Sequence, residues 1–125
     1  MNTQDFIDHL NQIQKLMQNE KYREALSQIE KLKVIEKESN FNYNLTHRLY
    51  QLDSNIHSLY NQQNILKVIA GLSTNHNSIS FQKLSKILQK ETEINLSTDI
   101  LKREVEILIL RDLIPYKIDG DRLIF

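Results

Sequence analysis

The chain has 125 residues, 40% apolar and 26% charged, a balance that suits one globular domain or two small lobes and excludes wholesale disorder. Sixteen Lys and Arg balance 16 Asp and Glu, with 7 basic and 8 acidic residues in positions 1–61 and 9 and 8 in positions 62–125, so neither half is a basic arm built for indiscriminate phosphate binding. The absence of cysteine excludes disulfides, thiolate zinc sites and cysteine nucleophiles.

The opening residues "MNTQDFIDHL" carry Asp5 and Asp8 where a signal peptide would have a cationic start and an apolar core. No apolar run approaches the ~20 residues that span a bilayer, so a cytoplasmic address and no membrane span are expected. Phe6, Leu10, Ile13 and Met17 recur at steps of four, three and four, which predicts an amphipathic helix over about residues 3–18. "NEKYREALSQIEKL" restarts the pattern with Tyr22, Ala25, Leu26, Ile29 and Leu32, so a tight link at Asn19-Glu20 should make an antiparallel pair. The spacing of Tyr22 and Ala25 resembles a tetratricopeptide-type hairpin, although no second copy follows at that family's period.

"ESNFNYN" is a polar break rich in capping residues. Leu45, Leu49, Leu52, Ile56 and Leu59 then form a heptad-like stripe. It either packs on the first two helices or forms a coiled-coil seam in a homodimer. A change of layout at position 61 suggests a separate short helix, "QNILKVIAGL", ending near Gly71. "SIS" at 78–80 can form a brief strand, with Ser80 also able to cap the helix that buries Phe81, Leu84, Ile87 and Leu88. Ser97 should cap a further helix over "TDILKREVEILILRD", with Asp99 in its first turn. The chain then ends "RDLIPYKIDGDRLIF", two short strands joined at Asp119-Gly120 as a type I′ turn. Leu113, Tyr116, Ile118, Leu123 and Phe125 offer the hairpin an apolar face.

The expected fold class is therefore mainly α: a helical lobe over 1–61, then a winged helix over 62–125 whose wing is the C-terminal β-hairpin, the two packed as one unit. On a helical wheel the last helix turns Leu101, Val105 and Leu108 inward. Its opposite face carries Asp99, Arg103, Glu106 and Leu110, with Lys102 and Ile107 at the margins. Two carboxylates and a leucine suit phosphates and base edges poorly. The apolar Ile107 and Leu110 either pack under the N-terminal helices or face a partner.

The passage "VEILILRDLIPYKIDGDRLIF" resembles the PCI-type winged-helix modules of the proteasome lid, the COP9 signalosome and the translation initiation factor 3 complex. Leu113-Ile114 and Ile118-Asp119 match that family's pattern, while Asp112 stands where it commonly has glycine. The ending is also similar to the winged helix of the DDRGK-type adaptor of the ufmylation ligase. The resemblance implies scaffolding: such winged helices associate with one another, often through sheet edges, and perform no chemistry. Members of the family usually have a longer helical region, so this chain would be a minimal version or a fragment.

Gly71 and Gly120 are too far apart for a phosphate-cradling loop, no His-x₃-His pair or His-Glu-x-x-His stretch occurs, and there is no Gly-x-Ser-x-Gly. The chain is expected to be a non-enzymatic adaptor with no cofactor and no metal. Its protein partner, for which another winged helix is one candidate, would meet Arg103, Glu106, Ile107 and Leu110 on the last helix, and Tyr116, Lys117, Ile118, Arg122 and Ile124 on the hairpin. The alternative is a nucleic-acid-binding regulator using Lys83, Lys86, Lys90 and Lys102. A trafficking subunit like those of the ESCRT-II complex is a third option.

Overall fold

Asn2 starts the first helix: its side chain accepts a hydrogen bond from the Asp5 amide at 2.8 Å, satisfying a donor that has no partner within the helix. The computed structural model describes residues 1–125, which divide into two units, Met1–Tyr60 and Asn61–Phe125. In the first, α1 (Thr3–Gln18) and α2 (Tyr22–Lys37) are joined by a two-bond helix stop. The Glu20 amide donates to the Met17 carbonyl and the Lys21 amide to the Leu16 carbonyl, the arrangement that ends a helix at a left-handed residue. That residue is Glu20, with φ 59°. Asn42 caps α3 (Tyr43–Leu72) by accepting from the Leu45 amide.

The core of this unit is the expected stripe of each helix. Phe6, Leu10 and Ile13 of α1 meet Ala25, Ile29 and Leu32 of α2 and Leu49, Leu52 and Ile56 of α3. Phe41, in the link before α3, sets its ring 4.3 Å from that of Phe6. Leu49, Leu52 and Ile56 of the leucine stripe are therefore taken up in the packing of three helices, with Leu45 partly buried beside them.

One expectation fails at the junction. Positions 43–72 form a single helix instead of a long helix and a separate short one. The polar run Asn61-Gln62-Gln63-Asn64 changes the composition but contains no proline or glycine, and nothing in it interrupts the backbone hydrogen-bond ladder.

In the second unit the end of α3 is followed by β1 (Ser78–Ser80), α4 (Phe81–Thr92), α5 (Thr98–Leu110), β2 (Lys117–Asp119) and β3 (Arg122–Ile124). Ser80 and Ser97 cap α4 and α5, accepting from the amides of Lys83 and Ile100. The strands form a small antiparallel sheet in the order β1-β3-β2. Ile79 lies opposite Leu123, and Leu123 opposite Ile118. These side chains share the face turned to a core built from Ile65, Val68 and Ile69 of α3, Phe81, Leu84 and Leu88 of α4, and Leu101, Val105 and Leu108 of α5. Tyr116 and Phe125 meet edge to face at 5.1 Å on the margin of that core. Leu113, expected to join them, is 46% exposed, and Ile114 is buried in its place.

The turn also differs from expectation by one residue. Asp119 pairs with Arg122, so the two loop residues are Gly120 and Asp121. Only Gly120 has positive φ (57°), which fits a type II′ turn with glycine first. The shift matters because a one-residue slip exchanges the two faces of a strand. The observed register puts Ile118 beside Leu123 on the core side.

Candidate interaction surface

On α5, Leu101, Val105 and Leu108 are buried as the wheel predicts, but so is Glu104, which is only 4% exposed. Its Oε2 accepts from Gln62 Nε2 at 2.8 Å, and Gln62 Oε1 accepts from Arg111 Nη1 at 2.6 Å. Gln62 is thus an amide relay between a buried carboxylate and a guanidinium, supplying the hydrogen bonding that a desolvated charge needs. The spacing 101-104-105-108 marks Glu104 as a member of the buried stripe, a signal that its charge masks in the sequence.

The outward side of α5 presents Arg103 and Glu106, both exposed, and Leu110, 82% exposed. Ile107 is half-buried. Leu110 therefore faces outward instead of packing. Beside it lies an open groove of about 540 Å³ lined by Glu106, Ile109, Leu110, Tyr116, Lys117 and Ile118. Five of these are residues that the sequence assigned to partner binding. Ile109 is the addition, half-buried on the same side of the helix.

The sheet order gives the groove its character. Because β3 is central, β2 has a partner on one side only. Hydrogen bonds of an antiparallel ladder alternate along a strand. On β3 the odd positions serve β1: Phe125 donates to the Asn77 carbonyl at 3.0 Å and the Asp121 carbonyl accepts from Phe81 at 2.8 Å. The even positions, Arg122 and Ile124, therefore serve β2 at Asp119 and Lys117. Ile118, between these two, turns its N–H and C=O to the open edge.

This arrangement keeps the backbone of Arg122 and Ile124 out of the open edge. Both sit on the central strand with their backbone groups committed, so neither belongs to an edge that could accept another strand. Their side chains lie on the face opposite the core. There the Arg122 guanidinium donates to Ser78 Oγ at 3.2 and 3.0 Å, and Ile124 is half-buried between Lys117 and Ser78. Tyr116, Lys117 and Ile118 remain at the edge.

Lys83, Lys86 and Lys90 form an exposed row on α4, while Lys102 of α5 is half-buried. The row lies on a different helix from the groove. In the first unit, Glu30, Asp53 and His57 bring one potential ligand atom each within 4.8 Å of one another, a cluster drawn from two helices that no local spacing announces. Lys33 Nζ lies 3.2 Å from Glu30 and 3.3 Å from Asp53, so these carboxylates already hold a cation. Burial pushes the Lys33 pKa down, but hydrogen bonds to Glu30 and Asp53 and their charges outweigh it and hold it above its ordinary value. Burial and the Glu36 carboxylate, which accepts from the phenol at 3.2 Å, raise the Tyr50 pKa.

No helix is long and apolar enough to cross a membrane. No protein-family model, no curated protein and no solved structure matches this chain.

Proposed function

We propose that this chain is a non-catalytic scaffold or adaptor subunit of a multiprotein complex, and that Asn61–Phe125 is a winged helix with the β2–β3 hairpin as its wing. The element order of helix, strand, helix, helix and hairpin supports that assignment, as does the PCI-like passage over 105–125. The observation that carries the functional proposal is the apolar groove between the end of α5 and the open edge of β2, with Leu110 standing exposed beside it. An extended segment laid along β2 would find the N–H and C=O of Ile118 unpaired and could bury an apolar side chain against Ile109, Leu110 and Tyr116, the mode by which strand addition combines backbone affinity with side-chain selectivity.

The test is affinity capture from native cell extract with the wild-type chain and with L110E, at low and raised salt, with and without nuclease. A protein that survives nuclease and salt and is lost with L110E, while the circular dichroism of the variant is unchanged, is the expected result. Recovery of nucleic acid that disappears with salt and on substitution of Lys83, Lys86, Lys90 and Lys102 would overturn the proposal and make the α4 row the working surface.

A further inference from the structure

The open edge of β2 has an internal symmetry that points to its occupant. Ile118, whose backbone groups face outward, is flanked by Lys117 and Asp119 on the opposite face of the strand. Both are exposed and neither forms an ion pair within the chain; Arg122, opposite Asp119, is turned to Ser78 instead. We infer that the β2 edge pairs antiparallel with the β2 edge of a second copy of this chain, about a two-fold axis at Ile118. The inference rests on the proposed use of this edge for protein association and names the partner.

Charge decides the register. With Ile118 opposite its own copy, the outward backbone groups of the two residues bond each other, Lys117 faces the partner's Asp119, and Asp119 faces the partner's Lys117. Directly opposed side chains of a non-hydrogen-bonded pair are the closest in an antiparallel ladder, where opposite charges stabilise and like charges repel. A shift that keeps the outward groups in step must move by two residues. One direction brings Lys117 against Lys117, the other Asp119 against Asp119. The central register alone joins unlike charges. A lysine on an edge strand ordinarily discourages pairing. Here the neighbouring aspartate turns that deterrent into selection for one partner in one alignment, and Leu110 and the adjoining groove supply apolar surface that so short a strand lacks by itself. The symmetry is isologous, so the contact closes at a dimer.

The test uses the full chain in sedimentation equilibrium over a wide concentration range. Wild type should dimerise. K117D and D119K, each placing like charges opposite one another twice across the axis, should weaken self-association on the order of tenfold or more. Mixed together, the two variants should associate one to one, because the first edge then carries two carboxylates and the second two ammoniums. The double variant K117D/D119K should dimerise as wild type does. Hydrogen exchange should show the Ile118 amide protected at dimer concentrations and open on dilution. A monomeric wild-type chain, or single variants that dimerise unchanged, would overturn the inference. If a partner sensitive to L110E is nevertheless captured from extract, only the identity of the occupant has failed; if neither association occurs, the proposed function fails with it.

Discussion

Leu123 and Leu110 are the same residue type in one unit with opposite surroundings, so truncating each to alanine separates burial from identity. Leu123 is fully buried at the centre of the sheet, between Ile79 and Ile118 and in the same core as Leu84 and Val105; Leu110 is 82% exposed. Removing a buried leucine side chain to Ala costs its transfer free energy plus a cavity, about 3–5 kcal/mol where neighbours cannot collapse. The three elements meeting at Leu123 are held by the hydrogen-bonded sheet, so little relaxation is expected. A unit as short as Asn61–Phe125 has roughly 3–10 kcal/mol of stability in total, so L123A should remove a large part of it and lower the melting temperature by about 10–30 °C. L110A should change stability by no more than about 0.5 kcal/mol. Urea unfolding followed by circular dichroism, with amide exchange read at Ile79, Leu84 and Val105, measures both. Equal losses in the two variants, or a loss of more than about 1 kcal/mol in L110A, would refute the assignment of Leu123 to the core and of Leu110 to the surface.

Three further outcomes can be checked by the same melts. G120A should destabilise by about 1 kcal/mol, because φ is positive there while a Cβ would meet nothing within 4 Å, so the cost is conformational. D112G should stabilise by about 1 kcal/mol: Asp112 has φ 57° at the helix stop where its amide donates to Ile109 and the Leu113 amide to Leu108, a position that glycine occupies without strain. Lys33 and Tyr50 both have raised pKa values in the folded chain, so their contributions are fully present below the ordinary values of 10.5 and 10.0 and are lost as pH rises through the folded ones. Stability should therefore fall above about pH 10, and K33M should show a shallower fall; an unchanged slope would show that Lys33 is not coupled to Glu30 and Asp53.

Helix placement was legible in the residues because periodicity and caps are local. The stripes of α1 and α2, the caps Ser80 and Ser97 and the inward face Leu101, Val105 and Leu108 all follow from spacing alone. The continuity of α3 was not, since a change of composition resembles a boundary when no contact is visible. Glu104 was missed for a related reason: a carboxylate in an apolar stripe is buried only if a partner arrives, and Gln62 is 42 positions away in sequence.

The sequence by itself determined that Leu110 falls outside the buried stripe of its helix and that Tyr116, Lys117 and Ile118 fall in the C-terminal hairpin region, because both follow from local period. Only the tertiary structure decided which strand edge is open. Whether β2 or β3 is the outer strand depends on where β1 docks, a long-range choice with no local signature, and it removes Arg122 and Ile124 from the edge while leaving Ile118 open. The turn register is likewise settled by the burial of Leu123 against Ile79, since only one alignment of a period-two strand puts the apolar residues on the core side. Local propensity chose the elements; the shared core chose their edges.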